Sequence, residues 1–296
     1  SAGVPPFLIG ATVVAGGTSL PELVASVLAA VRDEPAIVLG VVIGSNIANI
    51  FLVLGLASVM VTHLRIDREL ERVDLPLLMA STVFLLVVAW DGSVRWYEGV
   101  IGLFGFAVYV HFTLSTRSRL DEVVEELIET HAEETVEELL LDDGPTVEPE
   151  VTALTYVVLV GSLVALFVAA DQLVRSILTI AASLEVGTAL VAITAVGVGT
   201  SLPEIAVSVT AVRRGSSEIT VGNVLGSNVF NTFAVVGVPS LVTTVPASGE
   251  LRTFVLPVMV LATLMYYFIT QDREITRWEG LTLVLLYVAF FVNLVP

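Results

Sequence analysis

The hexapeptide GTSLPE occurs twice, from Gly17 to Glu22 and from Gly199 to Glu204, each time inside a stretch otherwise apolar enough to cross a bilayer. A carboxylate at that depth costs several kcal/mol, so a symmetry-related pair marks an ion site rather than an accident of composition. Thr18 and Ser19 stand beside Glu22, and Thr200 and Ser201 beside Glu204. Pro21 and Pro203 lack an N–H and obstruct the carbonyls of Gly17 and Gly199 four residues back, so each helix is predicted to kink or break and free carbonyl oxygens. Hydroxyls, carbonyls and carboxylates make an all-oxygen set, which hard cations such as Ca²⁺ and Na⁺ prefer. Cysteine is absent, which removes thiolate metal sites and disulfides.

The likeness continues beyond the hexapeptide. Gly44, Ser45, Asn46 and Asn49 return as Gly226, Ser227, Asn228 and Asn231, all displaced by the 182 residues that separate Glu22 from Glu204. Ser45 and Asn49, like Ser227 and Asn231, are four apart and share one helix face. They can complete an ion cage or hydrogen-bond between helices, both common uses in membranes. Gly40, Gly44 and Gly55, with Gly222, Gly226 and Gly237, read as close-packing positions.

The elements that carry these residues are helices. The chain has 296 residues, 55% hydrophobic, with a mean hydropathy of +0.92. Continuous Leu-, Val- and Ala-rich runs fit helices and not the alternating strands of a barrel. Nine spans are predicted, near residues 6–31, 36–62, 73–90, 97–115, 153–182, 186–212, 219–245, 253–270 and 278–296. The first GTSLPE lies on the first span and the second on the sixth, so the two cross in opposite directions. The fold class is therefore an all-α polytopic membrane protein of two inverted repeats. Residues 1–115 form the first repeat with its motif at 15–49, and 153–296 the second with its motif at 197–231. Residues 116–152 form an acidic loop between them. The second motif has a span before it, 153–182, that the first lacks, which suggests five-helix repeats with an N-terminal helix missing from the first. Asp91, Trp96, Glu98 and Gly99 are echoed by Asp272, Trp278, Glu279 and Gly280. Inverted repeats place substrate near the midplane, on helices interrupted by Gly or Pro.

Charge placement orients the chain. All 13 basic residues are Arg, against 30 acids, for a net charge of −17. Arg65, Arg68, Arg72, Arg117, Arg119, Arg213, Arg214, Arg273 and Arg277 fall on one side, and Arg32, Arg95 and Arg252 on the other, so the first side is read as cytoplasmic. The acidic loop is then cytoplasmic and the C-terminus extracellular. Thirteen acids lie between Asp121 and Glu150. Such acidity fits high-salt surroundings and excludes nucleic acid as a partner. Leu120 to Leu141 carries an apolar helical stripe, which reads as a docking helix, a solvated acidic helix or a linker. It has no EF-hand spacing. Asp171 and Arg175, four apart, read as a structural ion pair. His63, His111 and His131 have no metal-ligand company.

The paired GTSLPE and GSNxxN segments resemble the alpha repeats of the sodium/calcium exchanger family, within the cation/Ca²⁺ antiporter superfamily, and the likeness covers nearly the whole chain. The resemblance implies ten helices, and ion ligands at Thr18, Ser19, Glu22, Ser45, Asn49, Thr200, Ser201, Glu204, Ser227 and Asn231, with backbone oxygens at Ala15 and Gly197. It also implies alternating access by sliding of two helices. Some members carry Asp where Asn49 or Asn231 stands here, so this site has two carboxylates, whose charge one Ca²⁺ or two Na⁺ would neutralise. The function expected is exchange of Ca²⁺ for Na⁺, with both ions as substrates, the lipid bilayer as surroundings and no cofactor. The alternative is a proton-coupled Ca²⁺ antiporter. A cation channel fits less well, because two inverted halves in one chain favour alternating access. No HExxH or GxSxG motif suggests an enzyme. The oligomeric state is left open and is compatible with a monomer.

Overall fold

A chain segment inside a bilayer core must satisfy its backbone groups internally, and the apolar runs of this sequence do so as helices. The computed structural model describes residues 11, 14–66, 74–131 and 153–294. Eleven helices are described: α1 (Ala15–Thr18), α2 (Leu20–Val31), α3 (Ala36–Val59), α4 (Asp74–Val88), α5 (Trp96–His131), α6 (Ala153–Leu184), α7 (188–199), α8 (Leu202–Arg213), α9 (217–242), α10 (Leu251–Ile269) and α11 (Arg277–Leu294). α1 with α2, and α7 with α8, are the two halves of broken crossings, so the eleven helices make the nine expected spans. Five of the segments are long and apolar enough to cross a membrane unaided, among them Ala36–Val59 and Ser217–Ser240. α5 runs on to His131, so the segment expected as a loop from 116 begins as helix. The rest of that segment, 132–152, lies outside the described residues.

Burial separates the helices into two classes. The apolar windows of α3 and α9 are 94% and 89% buried, whereas those of α6, α10 and α11 are 22%, 33% and 28% buried. The outer helices present Val87, Phe104, Phe167, Leu285 and Val292 outward, the surface expected of a bundle solvated by lipid. Trp90 and Trp96 are exposed beside one set of helix ends, and Trp278 with Phe268 beside another, as aromatic residues are at membrane interfaces.

The inverted symmetry is visible in the connections. Strand β1 (His63–Arg65) pairs antiparallel with β4 (Glu274–Thr276), and β2 (Ser93–Val94) with β3 (Val245–Pro246). Leu64 lies opposite Ile275, and Ser93 opposite Pro246, and the two pairings interchange under the 182-residue displacement. Each ribbon joins one repeat to the other. Glu98 and Glu279 accept from the backbone N–H of Arg95 and Thr276, both at 2.7 Å, capping α5 and α11. That role accounts for their echo in the sequence.

The glycines set how closely the halves approach. A Cβ on Gly44 of α3 would lie 2.7 Å from the Ile193 carbonyl of α7, and one on Gly226 of α9 would strike the Ala11 carbonyl, the counterpart contact. Gly40, Gly55 and Gly237 are crowded in the same way. α6 is tied to α2 by an ion cluster wider than the expected pair: Arg175 Nε lies 2.9 Å from Asp171 Oδ2, and Arg32 pairs with Asp171 Oδ1. His63 stands in β1 rather than a loop, 3.5 Å from Glu274 across the ribbon.

Gly44→Ala should cost about 1–3 kcal/mol through overpacking. Thermal unfolding in detergent should show a lower midpoint for this variant. Gly161→Ala, on α6 with nothing within 4 Å of its added methyl, should show no loss.

Candidate cation site

The two broken helices bring the candidate residues together. α1 ends at Thr18 and α2 begins at Leu20, with Ser19 turned out of the helix at φ −90° and ψ 3°. α7 ends at Gly199 and α8 begins at Leu202, with Ser201 at φ −81° and ψ 1°. Pro21 and Pro203 each fall in the first turn of the new helix, where the missing N–H costs nothing. Glu22 and Glu204 therefore sit in the first turns of α2 and α8, where the helix dipole favours negative charge.

Hydroxyls link the carboxylates across the repeats. Ser19 Oγ donates to Glu204 Oε1 at 3.4 Å, and Ser45 Oγ donates to Glu22 Oε1 at 3.4 Å. Ser45 Oγ also lies 3.1 Å from Thr200 Oγ1. Thr18 Oγ1 lies 3.3 Å from both the Ala15 carbonyl and Asn223 Oδ1. Ser19, Glu22, Ser45, Asn49, Thr200, Ser201, Glu204, Ser227 and Asn231 are buried, as are Ala15 and Gly197, and Thr18 is half-buried. Among the described residues neither glutamate has a basic partner.

Several of these oxygens have no protein partner. Among the described residues Glu22 Oε2, Glu204 Oε2, Ser201 Oγ, Ser227 Oγ, Asn49 Oδ1 and Asn231 Oδ1 are buried without a hydrogen bond. A buried polar atom left so costs about 1–3 kcal/mol, more when charged. Six such oxygens on the faces of α2, α3, α8 and α9 match the number and hardness of ligands that Ca²⁺ takes. No group of three or more His, Asp or Glu comes together among the described residues, so two carboxylates and neutral oxygens must do the work.

Two residues beyond the expected ligands decide which way the asparagines face. Asn46 Nδ2 donates to the Asn228 carbonyl and Asn228 Nδ2 to the Asn46 carbonyl, both at 3.3 Å. A carbonyl only accepts, so these two amides are fixed with Oδ1 as acceptors. Asn49 Nδ2 then donates to Asn228 Oδ1 at 3.0 Å, and Asn231 Nδ2 to Asn46 Oδ1 at 3.2 Å. Each outer amide is left presenting oxygen. Asn49 and Asn231 also begin π-helical turns, Asn49–Leu54 and Asn231–Val235, which widen α3 and α9 at the site. The repetition of Asn46 as Asn228 was the only sequence signal for this lock.

Two inverted repeats with oxygen-lined, broken helices meeting between them define a helical membrane transporter of the secondary, ion-coupled class. The family model for sodium/calcium exchanger proteins matches residues 1–115 and 154–295, and the chain belongs to that family. It is 30% identical to the sodium/calcium exchanger MaX1 of Methanosarcina acetivorans, over 99% of this chain and 89% of the relative. It is 33% identical to the membrane protein MJ0091 of Methanocaldococcus jannaschii, over 98% and 87%. Among solved structures it resembles the sodium-calcium exchanger NCX_Mj soaked with 2.5 mM Na⁺ and 0.1 mM Ca²⁺, with a TM-score of 0.70, 30% identity, and coverage of 98% of this chain and 87% of that one. The chain is thus a multi-pass membrane protein of the cation/Ca²⁺ exchange antiporters.

Asn228→Leu removes the acceptor that turns Asn49 and should raise the Ca²⁺ dissociation constant about 10–100-fold, the usual cost of losing an outer-shell partner. Isothermal titration of the detergent-solubilised protein would read it, with circular dichroism confirming an unchanged helix content.

Proposed function

We propose that the protein exchanges Ca²⁺ for Na⁺, presenting one midplane site alternately to each side of the membrane. The observation that carries this reading is the set of buried, unpartnered oxygens around Glu22 and Glu204. Glu22 and Glu204 supply the charge. Thr18, Ser19, Ser45, Asn49, Thr200, Ser201, Ser227 and Asn231 supply neutral oxygens, and the carbonyls of Ala15 and Gly197 complete the cage. Ions and not water would satisfy the carboxylates, whose charge of minus two equals that of one Ca²⁺ or two Na⁺. Occupancy by either load therefore leaves a neutral centre that can be enclosed, whereas a bare dianion in low dielectric resists enclosure. Coupling follows, because the two ions compete for the same oxygens and only a loaded site closes easily.

The arginine-rich ends, with Arg65, Arg213, Arg214, Arg273 and Arg277, face the cytoplasm in this reading, and the C-terminus lies outside. The acidic segment between the repeats is then cytoplasmic.

Liposomes holding the full chain, loaded with Na⁺ and diluted into Na⁺-free medium, should take up ⁴⁵Ca²⁺. Glu204→Gln should cut the rate at least about 100-fold, since it leaves one charge for a divalent ion in low dielectric. Uptake that ignores Na⁺ and follows a pH gradient would replace this reading with proton coupling.

A further inference from the structure

The 182-residue displacement makes Thr18 the counterpart of Thr200, Ser227 of Ser45, Ser208 of Ser26 and Asn223 of Val41. The two halves of the site do not use these counterparts alike. In one, Ser45 Oγ donates its single hydrogen to Glu22, so the 3.1 Å contact with Thr200 has Thr200 as donor, and one lone pair of Ser45 is taken. In the other, Thr18 lies against Asn223 Oδ1 at 3.3 Å, and Ser227 Oγ has no partner among the described residues. Asn223 is fully buried, and its Nδ2 donates to Ser208 Oγ at 3.4 Å, while Thr220 Oγ1 donates to the Ser208 carbonyl at 3.0 Å. Val41 offers no such bond, and Ser26 Oγ is buried without a partner among the described residues. One departure from the repeat, Asn against Val, accounts for all four differences.

We propose that Asn223 is a positioning residue of the cation site, which takes the Thr18 hydroxyl hydrogen and thereby leaves Ser227 open to the ion. Without it, that hydrogen has two other acceptors within the cluster, the Ala15 carbonyl at 3.3 Å and Ser227 Oγ, the counterpart of the acceptor Thr200 uses. Both are oxygens assigned above to the ion. A hydrogen bond from Thr18 to either occupies a lone pair that the cation needs. Asn223 acts through Thr18 and Ser227 and holds the first broken helix to α8 through Ser208. The half built on Ser227 is consequently the more open one, and the site is asymmetric although its backbone is symmetric. The inference rests on the ligand set proposed above and deepens it.

The test is Ca²⁺ binding by isothermal titration to the full chain in detergent, which requires no transport. Asn223→Val, copying the first repeat, should raise the dissociation constant about tenfold, within the range for loss of an outer-shell partner. Ser227→Ala should also weaken binding, and Asn223→Val should then add nothing further, the non-additivity of residues acting as one unit. A full additional loss in the Ser227→Ala background, or an unchanged constant in Asn223→Val alone, would overturn the proposal. Val41→Asn, which offers Thr200 the same acceptor, should tighten binding, and it decides the matter if Asn223→Val does not fold: no gain would overturn it. Absence of Ca²⁺ binding by the unmodified chain would refute the ligand set itself, and the role of Asn223 with it. Binding intact without Na⁺-driven uptake would refute only the exchange reading.

Discussion

Two carboxylates held away from water and from any basic side chain among the described residues constrain everything around them. Their Coulomb energy grows as the local dielectric falls, and the protein can lower it only with dipoles or with mobile cations. The dipoles come from the new helix starts that Pro21 and Pro203 create. Hydroxyls from the opposite repeat add one bond to each carboxylate and leave the second oxygen of each open. The glycines on α3 and α9 then serve the same end, because only a backbone approach as close as that of Gly44 to Ile193 brings the interrupted helices to the centre.

Much of this arrangement is legible in the sequence because the signal is covalent and local. Glu22 stands one residue after Pro21, so a proline that breaks a helix also fixes where the carboxylate falls. Ser45 and Asn49 share a face because the helix period requires it. The span count and its odd separation follow from hydropathy alone, and the inverted repeat follows from the count. The structure departs where the sequence was read as loop: α5 extends through residue 131, because Leu120 to Ile128 keeps a helical period that charge does not interrupt.

What sequence reasoning missed depends on partners far along the chain. Asn46 meets Asn228 across 182 positions, and only their mutual carbonyl bonds reveal that Asn49 and Asn231 present oxygen. Arg32 joins Asp171 from another helix, which no i, i+4 rule can foresee. The π-helical turns after Asn49 and Asn231 depend on how neighbouring helices crowd, and their residues look like any apolar run.

The two ribbons divide the molecule mechanically. β1 with β4 and β2 with β3 staple the turns of α3, α4, α5, α9, α10 and α11 across both repeats, giving these six helices a common frame. No strand flanks α1, α2, α6, α7 or α8, whose links to the frame are the short turns near Asp33 and Gly215. The glutamates ride on these unstapled helices, while the serine and asparagine oxygens of α3 and α9 belong to the frame. Any sliding of one set past the other must therefore pull charge away from the neutral oxygens or press it against them. A cation caught between the two parts is a rivet, and its size and charge decide where the slider can rest.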